Sequence, residues 1–278
     1  MFAYRRGRGN AVAEQAFQIV DHCGIIGVRP LGISFSGSDP CIMTISFTPK
    51  SLSFLRSLKR NNKREWFHAR RDQYDTHVRA PMLAIVEQLA VDMPSFAPEL
   101  LADPKVSLFR PFRDTRFSDD KTPLKTNVAA TFPNRTLGRM NGASFYFEVG
   151  PTYVWIGGGL WRPDTSQLQL VREHIVANHR QLDAIVTSPA FKKLGGLQGD
   201  RLTRVPRGFD RNHKAATYLQ HKQFMGFREE SAAYATSKDF YKNLVCTMRT
   251  LAPMVRFLNQ PLVGAQTVSR QAHILDED

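Results

Sequence analysis

The sequence is poor in cysteine and has no long apolar run. Its three cysteines among 278 residues are Cys23, Cys41 and Cys246. They are too few and too scattered for a disulfide framework, which indicates a reducing compartment, and we predict a cytoplasmic protein. The longest uncharged apolar run near the start, Cys23–Val28, is far shorter than the ~20 residues of a bilayer span. We therefore expect no signal peptide, no membrane helix and no membrane partner.

Common catalytic motifs are also missing. The chain has no Gly-x-x-x-x-Gly-Lys-Ser/Thr loop and no Gly-x-Gly-x-x-Gly turn, and its nearest approach to Gly-x-Ser-x-Gly, Gly32 to Ser36, fails at the last position. His174 and His179 are five residues apart, so on a helix they point away from each other. These absences leave nucleotide-loop and serine-hydrolase chemistry unsupported, and we expect neither a cofactor nor a metal.

Positive charge is what the chain does have. Lys and Arg number 38 against 25 Asp and Glu, which gives a formal charge of +13. Such a field attracts anions, so nucleic acid and phosphorylated metabolites are admissible partners, and a basic surface that serves only solubility is the alternative. With 42% hydrophobic residues, a chain of this length is expected to bury a substantial core in one domain with tails.

Residues 1–42 differ in composition from the remainder. Three arginines, Arg5, Arg6 and Arg8, lie among glycines, and Gly32–Pro40 is rich in Gly and Ser, as linkers are. We predict a flexible N-terminal extension, which is not translated if synthesis starts at Met43; a basic arm that binds nucleic acid is the alternative. The predicted domain covers 43–262, and 263–278 form a C-terminal tail.

The fold class follows from where the strand and helix signals lie. A β-hairpin is predicted where side-chain character alternates along Phe145–Val149 and a second segment, Tyr153–Ile156, follows after a Gly-Pro-Thr turn. Asn127–Phe132, Leu108–Phe117 and Phe224–Phe227 are predicted as further extended segments. Helical periodicity lies on both sides of this region. We therefore predict an α+β protein, an antiparallel sheet with a central hairpin, flanked by N-terminal and C-terminal helices.

Helix starts are predicted from capping residues. Thr48 with Pro49 begins a first helix, and Asn62 with Glu65 predicts a capping box for a second. Further helices are predicted from Pro81 to Ala90, over 164–186 with Asp164 as its cap, and over 238–258.

One segment is dense in charge. Its basic and acidic members are Arg110, Arg113, Asp114, Arg116, Asp119, Asp120, Lys121 and Lys125. A strand here would place Arg110, Asp114 and Arg116 on one face, with Asp114 between two guanidinium groups. We predict that Arg110, Arg113, Arg116, Lys121 and Lys125 bind a phosphate or carboxylate. Asp114 would orient the arginines and is a candidate catalytic residue, with Asp119 or Asp120 as proton acceptor. The alternative is a structural ion network.

The pattern Arg110-x-x-Arg113-Asp114-x-Arg116-Phe117-x-x-Asp120-Lys121 resembles the signature of a bacterial family, domain of unknown function 2461, that also occurs within larger fungal proteins. The resemblance spans Met43 to Leu262. It includes Phe54-Leu55-x-x-Leu58, Asn61-Asn62-x-x-Glu65-Trp66-Phe67, Gly157-Gly158-Gly159-Leu160 and Pro206-x-Gly208-Phe209-Asp210. The family favours a tyrosine where this chain has Leu124, which puts any role of that phenol in question. The resemblance implies no activity.

A second candidate surface is the polar face of the hairpin. Tyr146 and Glu148, with Trp155 or Tyr153, could stack a planar ligand and bond its edge, and Glu148 is a further catalytic candidate. An ordinary half-exposed sheet face is the alternative, and Arg207 is a weaker candidate anion contact. We predict binding of an anionic small molecule, with or without catalysis. A nucleic-acid-binding accessory protein is the other function class, and no oligomeric state is predicted.

Overall fold

The computed structural model of the chain describes residues 45–116, 118–139 and 141–275, and for 268–275 only the backbone. The predicted N-terminal extension lies outside the described residues.

The N-terminal helices form a continuous succession. Thr48 caps α1, Pro49–Arg60, in a reciprocal capping box with Ser51, which confirms the predicted first helix. Two short helices follow, α2 (Arg64–His68) and α3 (Arg71–Tyr74). A π-helical turn, Asp75–Arg79, leads into α4, Ala80–Asp92, and a 3₁₀ turn, Met93–Ser95. π-helical turns are rare and are often found at functional sites.

The predicted cap of the second helix is wrong. Lys63 occupies the cap position of α2 without a side-chain hydrogen bond. The side chain of Asn62 is engaged elsewhere, because it accepts from the backbone N–H of Leu124 at 3.0 Å and donates to the Leu124 carbonyl at 2.9 Å. Directed at Leu124, the Asn62 side chain makes no hydrogen bond to the first turn of α2.

Four antiparallel strands form one sheet in the order β1-β2-β3-β4. The strands are β1 (Val128–Phe132), β2 (Ser144–Val149), β3 (Tyr153–Leu160) and β4 (Phe224–Ser231). The α+β class, the antiparallel sheet and the central hairpin are therefore confirmed. In the hairpin, Glu148 lies opposite Trp155 and Tyr146 opposite Gly157, so these side chains share one face of the sheet.

No strand forms in the described part of the predicted segment Leu108–Phe117. A short helix, α5 (Pro104–Ser107), precedes it, and two isolated bridges follow, Leu108 with Ala130 and Phe112 with Leu124. Pro111 contributes to this correction because proline cannot donate to a ladder. The two-residue periodicity that was expected to align Arg110, Asp114 and Arg116 therefore does not apply.

The C-terminal part supplies the remaining helices. Asp164 caps α6, Thr165–Ala177, as predicted, but Asn178 ends that helix and α7 (His179–Val186) follows, so 164–186 is not one helix. Short helices α8 (Pro189–Lys193) and α9 (Ala216–Leu219) precede β4. After the 3₁₀ turn Ala232–Thr236, α10 runs from Phe240 to Leu275, beyond the predicted helix end and through the boundary at Leu262.

The two faces of the sheet have different surroundings. Phe145 and Phe147 of β2 are fully buried in the hydrophobic core. Helix α10 covers this face closely, since a Cβ added to Gly158 would lie 3.4 Å from Val255 Cγ2. The opposite face carries Tyr146 and Glu148, and the candidate sites lie on that side and at the β1 edge.

Candidate functional site

The charged segment is anchored by a short two-stranded ribbon. The Arg113 N–H donates to the Pro123 carbonyl at 2.9 Å, and the Lys125 N–H donates to the Pro111 carbonyl at 2.8 Å. Between them Leu124 is fully buried, and the Asn62 amide holds its backbone. Because side chains alternate along extended chain, burial of Leu124 directs Lys125 to the other side of the ribbon. The residue that replaces the family's tyrosine is thus a core residue here.

Beyond the ribbon the motif residues pair with one another locally. Arg116 donates twice to Asp114, at 3.0 and 2.8 Å, and the two side chains are 77% and 45% exposed. Arg116 thereby lowers the pKa of Asp114 to about 2, and Arg110 acts on it only electrostatically. Asp114 therefore does not bridge two guanidinium groups, as the predicted strand required.

The other charged residues of the motif are engaged in a similar way. Arg113 forms an ion pair with Asp120 at 2.6 Å, and Asp120 also accepts from the Thr122 N–H at 3.0 Å. The Lys121 amine donates to the Thr115 carbonyl at 3.1 Å, and Asp119 is exposed in the same turn. The Arg113 side chain is 13% exposed, so the rule that exposed ion pairs contribute little to stability applies to the Arg116–Asp114 pair and not to this one. The motif thus forms a turn that largely satisfies its own charges.

Arg110 lies apart from these pairs, in a cleft of about 330 Å³. One wall is the α3 helix with its π-helical turn and α4, and the other is the segment from α5 to Pro111. The lining residues are Arg71, Tyr74, Arg79, Met82, Pro104, Lys105, Leu108, Phe109, Arg110, Pro111 and Val128. Sequence analysis found Arg110 but missed the other basic residues of this cleft.

The cleft is basic, with no acidic residue in its lining. Arg71 is paired through Nε with Asp75 at 2.7 Å. Arg79, Lys105 and Arg110 form no ion pair with any residue in the described part of the chain. Their donors are therefore available to a ligand, and all four basic residues are exposed.

A buried carboxylate occupies the polar face of the hairpin. Glu148 is 6% exposed and accepts hydrogen bonds from the Tyr146 hydroxyl at 2.5 Å, the Tyr153 hydroxyl at 2.9 Å and the Asn127 amide. Burial raises the pKa of Glu148, and these three bonds act in the opposite direction. Tyr146 and Glu148 are thus brought together as predicted, and Asn127, which was predicted only as a strand residue, joins them.

Phe109 connects this cluster to the basic cleft. Its ring lines the cleft and makes an edge contact with Tyr146 at 6.0 Å between centroids. The Lys125 amine lies 4.7 Å, and the Arg139 guanidinium carbon 4.3 Å, from the centroid of the same ring. Burial lowers the pKa of Lys125, and the nearby Arg139 and Arg110 lower it further. Arg139 has no signal in the sequence, because only the fold places it here.

The remaining predicted residues pack or lie at the surface. Trp155 stacks on Phe227 at 4.7 Å and makes an edge contact with Tyr146. Its ring passes over Gly157, where an added Cβ would lie 2.7 Å from the indole. Arg207 is exposed and is not among the residues that line the cleft.

Fold and site together define an α+β domain in which a basic cleft adjoins the β1 edge of an antiparallel sheet. The chain belongs to the family described as "Conserved hypothetical protein (DUF2461)", whose match covers residues 50–257. A comparison with curated proteins found no match. Within the described ranges no helix is long and apolar enough to cross a membrane. In the same residues, no group of three His, Cys, Asp or Glu side chains could hold a metal ion.

Proposed function

We propose that this domain binds a small molecule bearing a phosphate or carboxylate in the cleft of Arg71, Arg79, Lys105 and Arg110. The observation that carries the proposal is the charge of the lining, which contains four basic residues and no acidic one. Three of these basic side chains form no ion pair with the described residues. A ligand anion would supply their missing partner.

The residue types suit this ligand class. The planar guanidinium group matches a phosphate or carboxylate with two parallel hydrogen bonds, and lysine adds a point charge. The cleft volume of about 330 Å³ lies at the small end of the range for small-molecule sites. The formal charge of +13 favours the approach of any anion.

Calorimetric titration of the full chain with inorganic phosphate, AMP and adenosine tests the proposal. We expect AMP to bind and adenosine, which lacks the phosphate, not to bind. Arg79→Ala and Arg110→Ala should each weaken AMP binding by about 10- to 150-fold, because a hydrogen bond to a charged group contributes ~1.5–3 kcal/mol. Arg207→Ala, an exposed arginine outside the cleft, is the matched control and should bind as wild type does.

Two outcomes would contradict the proposal. In one, neither phosphate nor AMP binds, or the cleft variants bind AMP as well as the Arg207 variant does. In the other, a DNA oligonucleotide binds with affinity that falls steeply with salt and is unaffected by Arg79→Ala and Arg110→Ala. The second result would favour a nucleic-acid accessory protein that uses another surface.

A further inference from the structure

We propose that Lys125 is a nucleophilic amine that forms an imine with an aldehyde or ketone whose phosphate or carboxylate is held in the cleft. This inference rests on the proposed function and extends it to a substrate class, a carbonyl compound with an anionic group. It is carried by the position of the amine, by its lack of partners and by the charges around it.

The Lys125 amine lies next to two residues of the cleft, although Lys125 is not itself in the lining. The backbone bond from Lys125 to the Pro111 carbonyl, at 2.8 Å, places Lys125 beside a residue of the cleft wall. The Lys125 Nζ atom lies 4.7 Å from the ring centroid of Phe109, another lining residue. A ligand anchored at Arg110 that extends towards Phe109 would therefore approach this amine.

The Lys125 amine makes no hydrogen bond or ion pair with any residue of the described chain. Lys121, in the same motif, differs, because its amine donates to the Thr115 carbonyl at 3.1 Å. Burial removes hydration from this amine, and no acceptor among the described residues replaces the lost water; its contact is with the face of the Phe109 ring. The net effect of its surroundings is a lowered pKa, so the amine loses its proton more readily than an ordinary surface lysine.

The charges around this amine come from three directions. Arg139 shares the Phe109 ring with it, at 4.3 Å from the centroid. Arg110 and Arg113 approach from the facing chain of the ribbon, and Glu148 from β2. Burial and the three guanidinium groups lower the pKa of Lys125 and outweigh Glu148, which acts in the opposite direction. Desolvation and a neighbouring cation are two established ways of activating a lysine nucleophile.

The reaction balances without an oxidant or reductant. The lone pair of neutral Nζ forms a bond to the carbonyl carbon, the C=O π electrons move to oxygen, and one proton passes from nitrogen to that oxygen to give the carbinolamine. The hydroxyl group then takes a proton from solvent and leaves as water, while the nitrogen lone pair forms the C=N bond of the iminium cation. The Glu148 carboxylate favours the resulting iminium cation electrostatically, as it favours the ammonium form of the lysine.

Reductive trapping on the full-length protein tests the inference. Pyridoxal 5′-phosphate and pyridoxal, which lacks the phosphate, are incubated separately with the protein and trapped with borohydride. Peptide mass spectrometry then locates the modified lysines. We expect Lys125 to be modified about tenfold faster than Lys121, which serves as the internal reference. The pH midpoint of its labelling should lie below the ordinary pKa of a lysine amine.

Variants separate this inference from the proposed function. Arg79→Ala should remove the advantage of the phosphorylated probe over pyridoxal, and Lys125→Arg should abolish the adduct while conserving the charge. If Lys125 is labelled selectively by both probes alike, Lys125 is a nucleophilic amine, but the anionic group of the carbonyl compound is not held in the cleft and that part of the inference is overturned. If AMP binds but Lys125 reacts no faster than Lys121, the inference is overturned and the cleft stands. The wild-type comparison decides this even if a variant fails to fold.

Discussion

Removal of the Asn62 side chain offers the sharpest test of how the site is anchored. In the folded protein this amide donates to the Leu124 carbonyl at 2.9 Å and accepts from the Leu124 N–H at 3.0 Å. Leu124 is fully buried, so Asn62→Ala leaves one backbone donor and one backbone acceptor without partners beside the core.

The size of the effect follows from these two bonds. A protein hydrogen bond contributes ~1 kcal/mol net, and a buried group left unsatisfied costs ~1–3 kcal/mol. We therefore expect Asn62→Ala to lower the free energy of unfolding by about 2–4 kcal/mol, since water reaches part of the site. For a domain of this size that is a fall in Tm of about 4–16 °C.

Thermal and urea unfolding, monitored by circular dichroism, measure this loss. Asn61→Ala is the matched control, because the adjacent side chain makes one exposed hydrogen bond, to the Ser57 carbonyl at 3.0 Å. Its cost should stay below ~1 kcal/mol. If the two variants unfold at the same midpoint, the Asn62 amide does not anchor the ribbon. In that case its bonds to Leu124 do not fix the position of Lys125.

Three further predictions concern the polar face and the motif. Gly157→Ala should lower the free energy of unfolding by about 1–3 kcal/mol, because the new Cβ would lie 2.6 Å from Phe227 Cβ. The control is Gly264→Ala in α10, where an added Cβ meets nothing within 4 Å. Urea titration should show this control to be neutral or stabilising. Burial raises the pKa of Glu148, so the folded protein holds this proton more tightly than the unfolded chain does. The contribution of that proton to the free energy of unfolding is lost as pH rises through the raised pKa. The stability advantage of wild type over Glu148→Gln should therefore shrink as pH rises above about 4.3, the ordinary pKa of a glutamate, and an advantage that grows over this range would contradict the prediction. Arg116→Ala should leave the urea midpoint unchanged, because its ion pair is exposed; a clear loss would show that the motif is a structural network.

Much of the fold could be predicted because its signals are local. Thr48 and Asp164 cap helices through bonds to residues three positions away, a distance at which sequence pattern and structure coincide. The alternation in Phe145–Val149 predicts both the strand and the face it buries, since the side-chain period of a strand is two. The α+β fold class, the hairpin and the family signature can therefore be recognised from the sequence alone.

The site was only half predictable, because its members meet through long-range packing. Arg110 and Lys125 were identified from the motif, whereas Arg79 and Arg139 join them only when the π-helical turn and the turn after β1 pack beside the ribbon. Nothing in the sequence around Arg79 distinguishes it from other exposed helical arginines.

What the sequence by itself determined is which chemical groups the protein carries, the α+β class and the positions of the hairpin and of the helix starts at Thr48 and Asp164. Only the tertiary structure decided which charged side chains form ion pairs with one another and which remain available to a ligand. Asp114 pairs with Arg116, two residues away, within an exposed turn, while Arg110 is directed into a cleft without acids. The physical reason is that the interaction between two charges depends on their separation and their burial. Both are set by contacts between segments far apart in the chain, such as the contact of Asn62 with Leu124 that anchors the ribbon.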